Sequence, residues 1–312
     1  MRDDVRVTTL PQTDADGAAP ALELRRLGLV VHPKREIDGA LDRIRAWSAE
    51  HGAEVVQIHA GDHERVVADA GDAASCDLVL AIGGDGTTLH ALHAAAECDR
   101  AVLGIACGSL GALTAVAASE LGDALDRVAA GSWTPRRLPG VRLVDGDGTM
   151  RVALNDVVVV RQGAGQVAVE IRVDGDVYVR YAGDGIVVAT PIGSSAYTLA
   201  AGGPILAGSS DGLVVTPIAA HGGCTPPLVV GPGSEVELHI EPGYGGARLE
   251  FDGQIEDEQP TELRLARVED HATLVALGDA ESLIAGLRRR RILIDSPRVL
   301  ARDDRKRLGD AS

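Results

Sequence analysis

The chain has 312 residues, and 45% of them are hydrophobic, which is enough for about two domains with buried cores. Its formal net charge of −16 argues against a nucleic-acid-binding surface, because contacts with phosphate backbones require clustered cations. No run of eighteen apolar residues occurs, and MRDDVRVTTL lacks the apolar stretch of a secretory signal. We therefore expect no nucleic-acid partner, no membrane association and a cytoplasmic location.

The first half of the chain has the pattern of an α/β domain. Residues 1–24 show no periodicity and are predicted to be a flexible extension. From residue 27 onward, strand patterns alternate with helix patterns, which indicates parallel strands joined by helical crossovers. In chain order we predict a strand in LGLVVHP, a helix around Leu41, a strand in EVVQIHA, a short helix at Glu64 to Ala70, a strand ending at Gly83, a helix from about Thr88 to Glu97, a strand at Ala101 to Ala106 and a helix near Glu120 to Ala130.

The second half has the pattern of a β-rich domain. After Trp133, short β-branched runs alternate with Gly, Asp and Pro residues. We place the boundary at residue 132, which gives an N-terminal α/β domain over residues 25–132 and a C-terminal β-rich domain over residues 133–280. Residues 281–312 are expected to form a closing helix and a charged tail. Because no linker separates the two domains, the cleft between them is the expected ligand site.

A glycine-rich turn follows the strand that ends at Gly83. Residues 78–89 read LVLAIGGDGTTL, an apolar strand that runs through Gly-Gly-Asp-Gly-Thr into a helix pattern. Glycine lets the backbone approach a ligand closely, and a helix N-terminus presents free N–H groups to an anion. The turn is therefore a candidate phosphate cradle around Asp85, although a plain strand-to-helix connection is the alternative. A second Gly-Asp-Gly-Thr at residues 146–149 lies between β patterns and is interpreted as a hairpin turn.

Polar residues interrupt the β-rich half at two places. Asn155 and Asp156 lie in an otherwise apolar strand at residues 153–160, where adjacent polar side chains need partners. Residues 184–197, DGIVVATPIGSSAY, end in a loop rich in hydroxyl groups. A polar pair that is satisfied locally is the alternative to a binding role. The cysteines lack the spacing of a metal site or a disulfide framework and are interpreted as reduced core thiols, so no metal ligand is assigned: Cys76, Cys98, Cys107 and Cys224.

Taken together, these segments resemble the NAD kinase family. The shared motifs, in order, are GGDGT at 83–87, LND at 154–156, DGIVVATPIGSSAY at 184–197, GGPI at 202–205, TPIAAH at 216–221 and DGQ at 252–254. The resemblance covers about residues 26–294. The long motif is the most specific, since the glycine turn is shared with diacylglycerol, sphingosine and phosphofructo-kinases.

The resemblance implies a fold and a reaction. The fold is a Rossmann-like N-terminal α/β domain followed by a C-terminal β-sandwich-like domain, assembled into homodimers or homotetramers. The reaction is transfer of a phosphoryl group to the adenosine-ribose 2′-hydroxyl of NAD, or of NADH, which makes NADP from NAD. ATP, another nucleoside triphosphate or polyphosphate is the donor, and Mg²⁺ or another divalent cation takes part.

The resemblance also implies roles for matching residues. Asp85 would orient or deprotonate the 2′-hydroxyl, while Gly84, Gly86 and Thr87 would line the donor phosphates. For His221, a packed histidine is an equal alternative to a binding role. The residues that match NAD contacts are Asn155, Asp156, Asp184, Ser195, Ala196, Tyr197 and His221.

Several departures from the family pattern leave a second function open. Ala106 and Ala112 stand where the family usually has an amide and an aromatic ring, and Ile192 and Ala200 replace frequent hydroxyl residues. The alternative is a non-catalytic or divergent dinucleotide-binding regulatory protein of the same fold. The acidic composition, in which Lys34 and Lys306 are the only lysines, resembles proteins of salt-accumulating archaea.

Overall fold

The protein is described from a computed structural model that covers residues 21–59, 65–144, 150–257, 259–278 and 281–302. The second Gly-Asp-Gly-Thr segment at residues 146–149 lies outside the described residues, as does most of the predicted N-terminal extension. Residues 281–302 belong to a unit of their own and are described separately.

The N-terminal part forms a parallel sheet flanked by helices. Its elements are β1 (Arg26–Val31), α1 (Asp38–His51), β2 (Glu54–Ile58), β3 (Ala70–Gly71), β4 (Leu78–Gly83), α2 (Asp85–Ala96), β5 (Ala101–Ala106), β6 (Val116–Ala117) and α3 (Leu121–Ala129). The strands follow the order β5-β4-β1-β2-β3, and each neighbouring pair is parallel. Because β4 and β5 are buried along their whole length, their sequences are continuously apolar rather than alternating.

The short helix predicted at Glu64 to Ala70 is wrong. Residues 65–69 contain no helix, and Ala70–Gly71 forms β3, which pairs in parallel with the end of β2. The buried side chain of Gln57 explains the difference, because it donates to the carbonyl of Arg65 and accepts the N–H of Val67. A tertiary contact therefore holds this segment extended where local propensity favoured a helix.

The second half is built of antiparallel strands. Its elements are β7 (Thr134–Val144), β8 (Met150–Ala153), β9 (Asp156–Arg161), β10 (Val167–Val173), β11 (Asp176–Gly183), β12 (Gly185–Ala189), α4 (Tyr197–Ala200), β13 (Leu213–Ile218), β14 (Leu228–Val230), β15 (Glu235–Glu241), β16 (Ala247–Phe251), β17 (Gln254–Glu256) and β18 (Glu262–Ala276). One sheet follows the order β14-β13-β12-β9-β16-β17. In the other sheet, β11, β10 and β15 continue through β18 to β5 of the N-terminal part.

The two sheets enclose the core of the second half. Val157 and Ile186 from the six-stranded sheet share one buried cluster with Val141, Val169 and Leu238 from the larger sheet. This packing is the β-sandwich-like arrangement that was predicted. The fold class is confirmed: an α/β part with helices on a parallel sheet, followed by a β-sandwich-like part. Because β18 pairs with both β7 and β5, the two parts share a continuous sheet, and the boundary at residue 132 stays a prediction.

Residues 281–302 contain a short helix, α5 (Leu283–Arg289). Ser282 caps its N-terminus by accepting the N–H of Ala285, and the arginines of its last turn include Arg288, which pairs with Asp295. The arginine run thus ends a helix, as expected, while the closing role of this segment stays a prediction.

Two further observations concern the described residues as a set. No helix among them combines the length and the hydropathy that a membrane-spanning segment requires. Their cysteines are all free. Cys76 is buried, Cys98 and Cys107 are half-buried and Cys224 is exposed, which corrects the expectation that all four are core thiols.

Candidate active site

The predicted strand-turn-helix around the glycines is present. β4 ends at Gly83, Gly84 occupies the N-cap position, and α2 begins at Asp85, slightly earlier than predicted. The first intrahelical hydrogen bond runs from the N–H of Thr88 to the carbonyl of Gly84, at 3.0 Å. The N–H groups of residues 85–87 therefore precede the hydrogen-bonded part of the helix, and they lie at the end that attracts anions.

The three glycines of the turn have different surroundings. A Cβ at Gly83 would lie 2.3 Å from Oγ1 of Thr87, so the buried Thr87 side chain packs directly on this glycine. A Cβ at Gly84 would lie 3.1 Å from Nη1 of Arg35. At Gly86, which is exposed, a Cβ would meet nothing within 4 Å. The open side of the turn is thus at Gly86, with a guanidinium group over Gly84.

Asp85 is fixed by the loop that contains Ala112, which the sequence singled out only as a departure from the family pattern. The N–H of Ala112 donates to Oδ2 of Asp85 and the N–H of Leu113 donates to Oδ1, both at 2.9 Å. A Cβ on Gly111 would stand 1.9 Å from Oδ1, so only glycine permits this approach. Since each carboxylate oxygen has two lone pairs, Asp85 can still accept a hydrogen bond from a substrate hydroxyl.

Arg136 supports the same loop from β7. Its Nη1 atom donates to the carbonyl of Ala112 at 3.4 Å, so the peptide groups of Ala112 contact both Asp85 and Arg136. Burial lowers the pKa of this guanidinium from its usual range. A half-buried cation therefore contacts the same loop whose N–H groups orient Asp85.

Asn155 and Asp156 lie at a break between two strands, not inside one strand as predicted. β8 ends at Ala153 and β9 begins at Asp156, and the segment at residues 190–193 fills the gap. Thr190 donates through its N–H to the carbonyl of Asn155 at 2.9 Å and through Oγ1 to the carbonyl of Leu154 at 2.7 Å. Because Thr190 takes the carbonyl groups of Leu154 and Asn155, the strand pairing is interrupted between β8 and β9, and Asn155 lies outside both strands.

The side chain of Asn155 remains available for a ligand. Among the described residues it has no hydrogen-bond partner, whereas its backbone carbonyl is held by Thr190. A Cβ on Gly193 would lie 1.9 Å from the carbonyl oxygen of Asn155, so the two segments pack backbone to backbone. The motif at residues 184–197 thus positions the motif at residues 154–156.

Asp156 is a buried carboxyl group beside Tyr197. Its exposed fraction is 5%, and the backbone N–H of Tyr197 donates to it. The pKa of Asp156 is raised to about 7, mainly by burial and also by the charge of Asp252, while the hydrogen bond from Tyr197 opposes the shift. This carboxyl group can therefore accept or donate a hydrogen bond near neutral pH.

Ser195, Ala196 and Tyr197 lie at the end of the same motif. The hydroxyl of Ser195 has a hydrogen-bond partner within its own loop, since Oγ donates to the carbonyl of Ile192 at 2.9 Å. Ala196 and Tyr197 are exposed. The pKa of Tyr197 is raised mainly by burial and by Glu250, with smaller contributions from Asp156 and Asp184, so its ring lies within electrostatic reach of both aspartates.

Asp184 and His221 lie at the other end of β12 from Ser195. Asp184 precedes β12, and its Oδ1 accepts Nε of Arg161 at 2.6 Å. His221 is exposed, its N–H donates to the carbonyl of Ala182, and its Nδ1 lies 2.7 Å from Nε2 of Gln166. The structure therefore brings Asn155, Asp156, Ser195 and Tyr197 together. Asp184 and His221 lie at the opposite end of β12 from Ser195, and Tyr197 is within electrostatic reach of Asp184.

A buried apolar cluster connects the loop that holds Asp85 to the group around Asn155. Leu113 donates to Asp85, Leu154 precedes Asn155, and Ile192 lies in the loop that packs on Asn155. All three side chains belong to one cluster. Ile192, which departs from the family pattern, thus acts here as an apolar contact between the segments.

A cationic loop follows β1 next to the glycine turn. His32 accepts the N–H groups of Lys34 and Arg35 at Nδ1, both at 3.1 Å, which folds the loop back toward the turn. Burial lowers the pKa of His32, and the charges of Arg35, Arg65 and Lys34 lower it further. In a chain with a net charge of −16, this local positive region was not recognised from the sequence.

No metal cage is present in the described part of the chain. Among the described residues, no group of three or more His, Cys, Asp or Glu side chains could hold a metal ion. A cavity of about 690 Å³ lies on the face formed by β10, β11 and β15, and it is lined by none of the predicted site residues.

Comparisons with known proteins give a consistent result. The ATP-NAD kinase N-terminal domain matches residues 26–133, and the ATP-NAD kinase C-terminal domain matches residues 154–276. The NAD kinase of Desulforamulus reducens is 31% identical over 243 residues, which cover 74% of this chain and 84% of the relative. NAD kinase 1 of Streptomyces avermitilis is 33% identical over 281 residues, which cover 75% and 77%.

Two solved structures are similar in fold. Yeast NADH kinase complexed with NADH superposes with a TM-score of 0.72 at 20% identity, covering 88% of this chain and 89% of that one. An NAD kinase from Archaeoglobus fulgidus in complex with ATP superposes with a TM-score of 0.64 at 25% identity, covering 81% and 94%.

Proposed function

The chain belongs to the NAD kinase family, and we propose that it transfers the γ-phosphoryl group of ATP to the adenosine-ribose 2′-hydroxyl of NAD, yielding NADP and ADP. The observation that carries this proposal is the position of Asp85. Its carboxylate is fixed by two backbone N–H groups at the phosphate-attracting end of α2.

The reaction requires a proton acceptor and aligned reactants. The 2′-hydroxyl oxygen forms a bond to the γ-phosphorus, the bond from that phosphorus to the β–γ bridging oxygen breaks, and ADP leaves. Asp85 accepts the proton of the 2′-hydroxyl. Because the amides of Ala112 and Leu113 fix both carboxylate oxygens, Asp85 is oriented before substrate binds.

The donor phosphates are assigned to the glycine turn and the cationic loop. Gly84 and Gly86 leave room for phosphate oxygens, and the N–H groups of residues 85–87 face them. Thr87 contributes through its backbone, since its side chain is buried against Gly83. We add Arg35, whose guanidinium lies over Gly84 and can pair with the triphosphate.

The dinucleotide is assigned to the group around Asn155. The unpaired amide of Asn155 can both donate to and accept from ribose hydroxyls, and Asp156 lies beside it. Ser195, Ala196 and the exposed Tyr197 ring line the adjacent surface. Asp184 and His221 are assigned to the far end of the bound dinucleotide, because β12 separates them from Ser195.

Mg²⁺ is the proposed cation. It usually keeps several waters and binds through one or two carboxylates plus substrate phosphates, so the lack of a three-ligand cluster among the described residues fits a cation that arrives with ATP. When bound, Mg²⁺ offsets charge on the donor phosphates. No residue is assigned as its ligand.

Assembly, location and salt adaptation are proposed from the family resemblance and the composition. We propose a homodimer or homotetramer, which light scattering after size-exclusion chromatography tests. A cytoplasmic location and a preference for high salt remain proposals, the latter motivated by the net charge of −16.

The test of the proposed function is NADP formation. Purified protein is incubated with NAD, ATP and Mg²⁺ at low and at high salt, and NADP is measured with an NADP-specific dehydrogenase. We expect NADP in at least one salt condition. Its absence under all conditions, with folded protein, would contradict the proposal and favour the non-catalytic alternative, which none of the comparisons supports.

A further inference from the structure

The Asp-Gly-Gln motif at residues 252–254 has no role in the assignments above. Asp252 and Gly253 form the two-residue turn between β16 and β17, and their φ angles are +50° and +78°. Positive φ at both central residues is the requirement of a type I′ hairpin turn, for which Asp-Gly is a preferred sequence. The turn geometry alone would therefore explain the residue types.

The side chain of Asp252 does more than close the hairpin. Its Oδ1 accepts the N–H of Asn155 at 2.6 Å and the N–H of Asp156 at 3.1 Å, while Oδ2 accepts the N–H of Leu154 at 2.8 Å. Its carboxylate is 3% exposed. Three consecutive backbone N–H groups of the Asn155 turn thus converge on one buried side chain.

A fourth contact connects this carboxylate to the helix of Asp85. Nε2 of His93, in α2, lies 2.6 Å from Oδ2 of Asp252. Because a carboxylate that accepts three N–H groups has only acceptor capacity left, His93 is the donor in this pair. His93 follows Asp85 by about two turns of a rigid helix, so the contact fixes the helix against the Asn155 turn.

We propose that Asp252 is a positioning residue that sets the Asn155–Asp156 turn relative to Asp85 through His93. The inference rests on the proposed function, because the turn matters for catalysis only if it binds the dinucleotide. If the turn is already held in place before NAD binds, it loses less conformational entropy on binding. Asp252 touches neither substrate nor reacting atoms in this assignment; it acts through the backbone of the turn.

The chain contains a matched control for the turn itself. Asp174 and Gly175 form a second two-residue turn, between β10 and β11, with φ angles of +52° and +88°. Asp174 is exposed, and its side chain accepts the N–H of Glu235 at 3.0 Å. Asp174→Asn therefore shows what an Asp-to-Asn change does to a hairpin turn of this type, at a site that makes no contact with the Asn155 turn.

The first experiment compares Asp252→Asn with Asp174→Asn. In Asp252→Asn, an NH₂ group replaces one of the carboxylate oxygens that accept backbone N–H groups. We therefore expect kcat/KM for NAD to fall at least about tenfold, while the affinity for an ATP analogue stays within about twofold of wild type. Hydrogen exchange of the segment containing Leu154 to Asp156 should accelerate in the same variant. Asp174→Asn should leave both measurements unchanged.

His93 variants keep the inference testable if Asp252→Asn does not fold. His93→Gln retains an N–H donor and should keep most of the NAD kcat/KM, whereas His93→Leu should lose it in parallel with faster exchange at Leu154 to Asp156. A folded Asp252→Asn or His93→Leu with NAD kinetics within twofold of wild type would overturn the inference.

Other outcomes also decide the question. Equal loss of ATP-analogue and NAD affinity in His93→Leu would indicate general damage and overturn the positioning role. A wild-type protein without NAD turnover would overturn the proposed function and this inference with it, whereas normal wild-type turnover beside an unaffected Asp252→Asn would overturn the inference alone.

Discussion

Gly111 and Asp85 are packed so closely that a Cβ on residue 111 would stand 1.9 Å from Oδ1 of the carboxylate. The contact belongs to the loop whose next two N–H groups hold Asp85. The proposed proton acceptor is therefore oriented by a glycine in the loop after β5, a residue that lies far from it in sequence.

We expect Gly111→Ala to lower kcat about a hundredfold, because a displacement of about 1 Å at a reacting group has effects of this size. Affinity for ATP analogues and the unfolding temperature should change little. Steady-state kinetics and thermal unfolding measure these effects. The control is Gly122→Ala in α3, where a Cβ meets nothing within 4 Å. Full activity of Gly111→Ala would show that the contact does not orient Asp85.

We expect Arg35→Ala to raise KM for ATP about tenfold at low salt, since a charge-assisted contact with phosphate contributes about 1.5 kcal/mol. KM for NAD should stay within about twofold, and the effect should shrink at high salt because ions screen exposed charges. Arg43→Ala on α1 removes the same charge from an exposed position and is the control. Identical ATP kinetics of the two variants would rule out Arg35 as a donor contact.

We expect Asp156 to make stability depend on pH. Folding raises its pKa from 3.8 to about 7, so between these values the folded state binds a proton that the unfolded state has released. Its contribution to the free energy of unfolding is therefore greatest below pH 4 and is lost as pH rises through about 7, a change of roughly 2 to 4 kcal/mol.

The measurement is urea unfolding of the wild type and Asp156→Asn between pH 4 and pH 8. The wild type should lose stability relative to the variant as pH rises, because the variant has no carboxyl group to ionise at this position. Parallel stability curves over the whole range would contradict the raised pKa.

The sequence predicted those parts of the molecule that depend on local patterns. The continuous apolar runs of β4 and β5, and the Gly-Gly-Asp-Gly-Thr turn between β4 and α2, placed Asp85 at a strand-to-helix junction, and the structure confirms that junction. The pattern of short β runs after Trp133 likewise predicted the β-rich half.

Features that depend on contacts distant in sequence were missed or misread. The helix predicted at Glu64 to Ala70 fails because Gln57 holds the segment extended. The continuous strand predicted through Asn155 fails because Thr190 and Asp252 take its backbone groups. A local sequence pattern does not indicate which side chain, distant in sequence, will form a hydrogen bond with a given backbone N–H or carbonyl group.

Parts of the candidate site were also beyond local patterns. Arg35 follows an ordinary strand, and Gly111 lies in a loop whose departure from the family pattern at Ala112 suggested a weakened pocket. In the structure, the backbone N–H of Ala112 contacts Asp85, and this contact does not depend on the side chain at that position. Alanine in place of an aromatic residue at position 112 therefore leaves the orientation of Asp85 unchanged.

The central claim is that Asp85 accepts the 2′-hydroxyl proton during transfer from ATP to NAD. The most direct test is the NADP-forming rate of Asp85→Asn beside Asp123→Asn, which changes an exposed carboxylate in the first turn of α3. We expect Asp85→Asn to lose at least about a hundredfold in kcat with NAD and ATP still bound, and Asp123→Asn to match the wild type. An Asp85→Asn enzyme that forms NADP at the wild-type rate would contradict the claim.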